Sequence, residues 1–276
     1  MNISDDVVID ELVRDSRLPR LEAELLLCIL MGCERAYLAA HRDRAIPQLD
    51  ADRARRWFAR RRAGEPIAYI TARREFYGIP LHVTPDVLIP RPETERLVEV
   101  ALERMPSSAS ARALDLGTGS GAIAVALAHE RAGLRITATD ISEAALGVAR
   151  ENARRQGAAI EFVRSDWFAD LQPGRFDFIA SNPPYVKAKD EHLELGDVRF
   201  EPRIALIGGD SGLDCIEGIA AQARARLRPG GWLILEHGYD QRDPCLNLLR
   251  DLGYTDTEDF DDLAGIPRVC AGRWDG

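Results

Sequence analysis

Ala113-Leu114-Asp115-Leu116-Gly117-Thr118-Gly119-Ser120-Gly121-Ala122 decides how this chain folds. A short apolar run of strand type enters a turn with glycine at every second position, and Ala122 to His129 continues as an apolar helix. Glycines let a ligand approach the backbone closely, and the first turn of the following helix leaves its N–H groups free. The spacing is G-x-G-x-G, because Ala122 follows Gly121, and not the G-x-G-x-x-G of dinucleotide-binding turns.

Working outward, the strand–helix beat repeats. Ile136 to Thr139 reads as a second strand closed by Asp140, and Ser142 with Glu143 caps a helix to Gln156. Ile160 to Val163 is a third strand, ending at Ser165-Asp166-Trp167. Phe176 to Ala180 is a fourth, ending at Ser181-Asn182-Pro183-Pro184-Tyr185. A helix over about 213–227, a strand over 231–236, a helix near 244–252 and late strands over 255–260 and 268–274 complete the pattern. Repeated units of this length predict an α/β fold: a seven-stranded, doubly wound, mostly parallel sheet with helices on both faces.

Ligands in such sheets sit at the carboxyl ends of the strands, and four successive ends here carry chemistry. After the turn over Gly117, Thr118, Gly119, Ser120 and Gly121 comes Asp140, roughly 20 residues on, where a carboxylate accepts from both hydroxyls of a ribose. Asp166 is placed to accept from an adenine amino group, with the Trp167 indole packed near its ring. Two consecutive prolines hold Asn182 and the Pro183 carbonyl in an extended backbone, so both can accept from one NH2 group. Tyr185 adds a flat wall. The set predicts an adenosyl cofactor beside a planar amide or a ring amino group.

Before residue 74 the chain reads as helices. Val7, Ile9, Leu12 and Val13 give an amphipathic start, and a buried helix runs from Pro19 through Leu21, Leu25, Leu26, Ile29 and Leu30 to Gly32. A further helix from near Asp50 turns Ala54, Trp57 and Phe58 inward and Arg53, Arg55, Arg56, Arg60, Arg61 and Arg62 outward. A short helix covers Ile67 to Thr71. Phe76 to Val83 reads as two short strands around a glycine turn, and Pro85 to Glu95, with three prolines, follows as a stiff linker. Pro92 opens the next helix, and Arg91 and Glu95 are expected at the mouth of the site. The expected domains are 1–73, helical; 74–92, hairpin and linker; and 93–276, catalytic.

Composition sets bounds. A net charge of −9 disfavours a general nucleic-acid binder, although residues 1–85 hold 14 Arg against 13 acids, so the acid excess belongs to the rest of the chain. The arginine run is either a solvated helix face or a contact for RNA or an acidic partner. No apolar run approaches the roughly 20 residues of a membrane span, and the acidic start Met1 to Asp6 argues against a targeting signal, so a cytoplasmic protein is expected. Five scattered cysteines and five histidines show no ligand spacing, and no metal site is expected.

Asp-Leu-Gly-Thr-Gly-Ser-Gly, then Asp140, then Asn-Pro-Pro-Tyr resembles class I S-adenosylmethionine methyltransferases that act on planar nitrogens. With Ile89-Pro90-Arg91-Pro92-Glu93-Thr94-Glu95 and Asp197-Val198-Arg199-Phe200-Glu201-Pro202, the whole chain is similar to the release factor glutamine methyltransferase family (PrmC, also called HemK). The resemblance implies methyl transfer from S-adenosylmethionine to the side-chain nitrogen of the glutamine in the Gly-Gly-Gln loop of class 1 peptide chain release factors. It also implies a substrate-recognising helical domain and no stable nucleic-acid or membrane partner. Gly117, Thr118, Gly119, Ser120, Gly121, Asp140, Trp167 and Asn182 would hold the cofactor. Asn182, Pro183, Pro184 and Tyr185 would hold the glutamine, with Asn182 and Pro183 catalytic. The tetrapeptide is shared with adenine-N6 methyltransferases, so such an enzyme, with Tyr185 stacking a flipped base, is the competing reading. A non-catalytic adenosyl-binding module is the third, and it would leave the tetrapeptide idle.

Overall fold

The computed structural model describes residues 7–105 and 111–276; the start Met1 to Asp6, on which the targeting argument rests, lies outside them. The chain divides into two units, Met1–Ala72 with Glu194–Phe200, and Arg73–Leu193 with Glu201–Gly276.

The first unit is helical. Strand β1 (Val7–Val8) leads into α1 (Ile9–Asp15), α2 (Arg20–Met31) and α3 (Arg35–Ala40), and β2 (Ala45–Ile46) returns antiparallel to β1. Then come α4 (Gln48–Arg62) and α5 (Ile67–Thr71). Helix α2 starts behind Pro19, whose fixed φ suits that position, and stops at Gly32 in the left-handed conformation. Ile9, Leu12, Leu26, Leu27, Ala51 and Phe58 form the core.

The sequence expectation is corrected at three places here. Leu21, Leu25 and Ile29 are 57%, 39% and 37% exposed, because the i, i+4 row they form lies opposite Ala23, Leu26 and Leu27. Helix α3 and the β1–β2 pair, too short for a periodic signal, were not expected. The arginines of α4 are not a simple solvated face. Arg61 makes paired bonds to Glu22 at 2.7 and 2.9 Å and a third to Asp197 at 2.8 Å. Arg60 pairs with Glu65, Arg55 with Asp52, and Arg62 donates to the Ser16 carbonyl.

The second unit opens with the hairpin β3 (Arg73–Phe76) and β4 (Ile79–His82), followed by a 3-10 turn at Pro92–Thr94 and α6 (Glu95–Arg104). Asn152 ties the hairpin down, accepting from His82 N at 2.7 Å and donating to the carbonyls of His82 and Ser120. Alternation then runs through β5 (Arg112–Leu116), α7 (Ala122–Glu130), β6 (Arg135–Asp140), α8 (Glu143–Gln156), β7 (Ile160–Arg164) and β8 (Phe176–Ser181). It continues with α9 (Asp214–Arg226), β9 (Leu227–Glu236), α10 (Arg242–Asp251), β10 (Thr255–Asp261) and β11 (Pro267–Trp274). The seven-stranded sheet has the order β10-β11-β9-β8-β5-β6-β7, with only β10 and β11 antiparallel to their neighbours.

Period-two alternation buries both faces. Ala113, Phe178 and Ala180 pack with α6 and α7, while Leu114, Ile179 and Leu233 pack with α9 and α10. Phe178 is fully buried, and removing its ring would cost about 3–5 kcal/mol. The winding reverses between β5 and β8, so a crevice opens at the carboxyl ends of those two strands.

Candidate active site

The crevice is built first by the turn after β5. Gly117, Gly119 and Gly121 have φ of +67°, +55° and +81°, a region costly for any residue with a Cβ. Thr118 N donates to the Thr139 carbonyl at 2.8 Å, and Thr118 Oγ1 donates to Asp115 Oδ2 at 2.6 Å. Asp115 is fully buried, which pushes its carboxyl up to about 7; the Asp140 charge adds to this, and the Thr118 hydroxyl and Ala124 N–H oppose it. A Cβ on Gly121 would meet Ala149 Cβ at 3.1 Å and Cα at 3.2 Å, so this glycine lets α7 and α8 close together.

At the end of β6, Asp140 Oδ2 accepts from Gly119 N and Oδ1 from Ser142 N, both at 2.9 Å. Burial raises its pKa, and the Ser142, Gly119 and Ile141 N–H groups pull it back. The carboxylate retains lone pairs toward the crevice. Beyond β7, Trp167 adopts φ +49°, an outlier for so bulky a residue and of the kind that clusters at ligand sites. Its Cζ3 stands 3.3 Å and its Cη2 3.8 Å from where a Gly117 Cβ would be, so the edge of the indole comes close to bare backbone.

After β8, Asn182 Nδ2 donates to Thr94 Oγ1 at 3.1 Å, which turns Oδ1 the other way. Among the described residues nothing donates to Asn182 Oδ1 or to the Pro183 carbonyl. Pro184 presses on the returning segment at Gly208, where a Cβ would lie 2.3 Å from the Pro184 carbonyl oxygen. The Tyr185 hydroxyl donates to Glu236 Oε1 at 3.1 Å, and burial holds that hydroxyl well above the usual tyrosine value.

Seven of the expected residues, Gly117, Gly119, Asp140, Asp166, Trp167, Asn182 and Pro184, line one cavity of about 410 Å³. The others stand behind it. Thr118 bonds Asp115, Ser120 is buried with its carbonyl on Asn152, Gly121 packs on α8, and Pro183 is buried with its carbonyl unbonded. Tyr185 is half-buried, bonded to Glu236 and outside the cavity lining, so in this arrangement it supports the wall and is not the wall's surface.

Arg91 and Glu95, expected at the mouth, are otherwise engaged. Arg91 pairs with the buried Glu201 at 2.6 Å, and Glu95 Oε1 accepts from Tyr77 N at 2.9 Å, holding the hairpin turn. The cavity also takes in residues that periodicity does not mark: Asp86, Val87 and Leu88 from the linker, and Pro202 to Ala205. Among the described residues no cluster of His, Cys, Asp or Glu could hold a metal ion, and no helix is long and apolar enough to cross a membrane.

The donor set fits a nucleoside-bearing group: a carboxylate for a diol, an indole close to a glycine, and Asp166 beside it. Residues 95–201 match the Methyltransferase small domain family, and residues 11–71 match the PrmC N-terminal domain. A release factor glutamine methyltransferase of Burkholderia pseudomallei (strain K96243) is 49% identical over 273 residues, 96% of each chain. Its counterpart in Pseudomonas aeruginosa is 46% identical over 269 residues, 95% of this chain and 97% of that one. A solved methyltransferase from Pyrococcus furiosus superposes with a TM-score of 0.56 at 22% identity, over 79% of this chain and 97% of its own, which speaks for the fold. Near half-identity along the whole length, across both units, settles the matter: this chain belongs to the release factor glutamine methyltransferase family.

Proposed function

We propose that Asn182 Oδ1 and the Pro183 carbonyl accept the two N–H bonds of a release-factor glutamine side chain and aim its nitrogen into the cavity beside Asp140 and Trp167. The reaction is that of the family, methylation of this side-chain amide nitrogen. S-adenosylmethionine, the donor, supplies an electrophilic methyl group on a sulfonium. Asp140 would hold its ribose hydroxyls, Trp167 and Asp166 its adenine, and Gly117 and Gly119 leave room for it against the backbone.

An amide nitrogen is a poor nucleophile because its lone pair is delocalised into the carbonyl. Two acceptors on its protons raise its electron density and fix its approach, and orientation with preorganised dipoles supplies most of the acceleration. After transfer the nitrogen gives up one proton to water. The observation that carries this reading is the free Asn182 Oδ1 in the cavity wall, its amide turned by Thr94.

The substrates are class 1 release factors at the Gly-Gly-Gln loop, met in the cytoplasm, with residues 1–73 recognising them and no stable nucleic-acid partner. The adenine-N6 reading drew on the arginine patch, and four of those arginines are bonded inside the helical unit. The test uses labelled S-adenosylmethionine with a release factor, its loop Gln→Ala variant, or duplex DNA. Label in the first alone is expected, and Asn182→Ala should lower turnover by roughly 10²-fold. Label in DNA, or an Asn182→Ala protein with near-normal turnover, overturns the proposal.

A further inference from the structure

An Asn side chain has two orientations of nearly equal shape that exchange its oxygen and nitrogen. With Oδ1 toward the cavity, Asn182 accepts from a substrate NH2; with Nδ2 toward it, two donors face each other and the substrate nitrogen is repelled. Something must choose between them. The only hydrogen bond that Asn182's amide makes among the described residues is to Thr94 Oγ1, at 3.1 Å. Thr94 is itself fixed: it is 3% exposed and closes the turn after Arg91, its N–H donating to the Arg91 carbonyl at 3.1 Å.

In this bond Asn182 Nδ2 is the donor and Thr94 Oγ1 the acceptor, which leaves Oδ1 on the opposite side of the amide, toward the cavity that Asn182 lines. Behind the loop, Glu236 at the end of β9 is 1% exposed, with Oε1 taken by the Tyr185 hydroxyl and Oε2 without a hydrogen-bond partner among the described residues.

We propose that Thr94 is a positioning residue that holds the Asn182 amide by its Nδ2 and so fixes Oδ1 toward the substrate. Thr94 touches neither substrate nor cofactor in this scheme. It acts through Asn182, so the inference rests on the role proposed above for that residue. Glu236 holds the Tyr185 hydroxyl, so the Asn-Pro-Pro-Tyr loop is anchored at one end by Thr94 and at the other by Glu236.

The test is a double-mutant cycle. Thr94→Val keeps the shape and loses the hydroxyl; Thr94→Ser keeps the hydroxyl. On the wild-type background Thr94→Val should lower kcat about tenfold with cofactor affinity unchanged, and Thr94→Ser should stay within about twofold. On the Asn182→Ala background Thr94→Val should change kcat by less than about twofold, since nothing remains to position. Equal losses on both backgrounds, or Thr94→Ser as damaged as Thr94→Val, overturn the inference. Near-normal turnover in Asn182→Ala alone overturns instead the role given to Asn182. A measurement on the wild-type protein serves if Thr94→Val does not fold. One Asn182 Nδ2 proton should exchange with solvent markedly more slowly than its twin in amide NMR spectra, and fast exchange of both contradicts the bond to Thr94.

Discussion

Asp140 Oδ2 accepts the Gly119 N–H at 2.9 Å, so the carboxylate that ends β6 also pins the glycine turn that follows β5. Two of the residues assigned to the cofactor therefore depend on each other before any ligand arrives. Asp140→Ala should weaken S-adenosylmethionine binding by about 10- to 100-fold, the loss of one or two charge-assisted bonds. Titration calorimetry reads this directly. Affinity within twofold of wild type would remove Asp140 from the site.

Gly121 serves packing, and its substitution should be felt in stability before binding. Its φ of +81° and the 3.2 Å approach to the Ala149 Cα leave no room for a Cβ without moving α7 or α8. Gly121→Ala should cost about 1–3 kcal/mol, seen as a lower urea midpoint. An unchanged midpoint would mean that the two helices separate freely.

Asp115 makes stability depend on pH in the unusual direction for an acid. Its folded carboxyl sits at about 7, above the ordinary 3.8, so the native state binds its proton more tightly than the unfolded chain does. The penalty is absent below 3.8, grows as the pH rises and is complete above about 7. Asp115→Asn removes the charge, so its melting temperature relative to wild type should climb between pH 4 and pH 8. A difference independent of pH would be the contrary result.

Arg61 is 18% exposed and binds both Glu22 and Asp197 within the helical unit. Arg61→Ala should release the Glu194–Phe200 segment, raising hydrogen exchange there, whereas Arg55→Ala, which loses one exposed pair, should cost less than about 0.5 kcal/mol. Equal exchange at residues 194–200 in the two variants would count against the assignment.

The strand ends were legible because each apolar run stops at a residue type that a buried sheet does not use: Gly117, Asp140, Asp166, Asn182. Sequence spacing could therefore gather them without coordinates. Thr94 and Glu236 were not, since one reads as part of a proline-rich connection and the other as the last residue of an ordinary strand. Their pairing with Asn182 and Tyr185 is a matter of side-chain direction across two elements, which no local pattern encodes. Leu21, Leu25 and Ile29 show the opposite failure: periodicity marks an apolar row on α2, but apolar residues occur on both sides of that helix and the pattern alone does not say which side is covered.

The segment Glu194–Phe200 belongs with the helices of residues 1–72, although the chain on either side of it belongs with the sheet. Arg61 holds it at Asp197, and Arg199 donates to the Ala63 carbonyl. The helical unit is thus sewn into the chain rather than appended to it. A protein starting at residue 73 would carry seven residues cut to fit an absent partner, two positions before the Pro202 to Ala205 wall of the cavity. Exchange of this unit between relatives would have to carry both pieces together, and a gene that lost the first piece would be under pressure to rewrite the second.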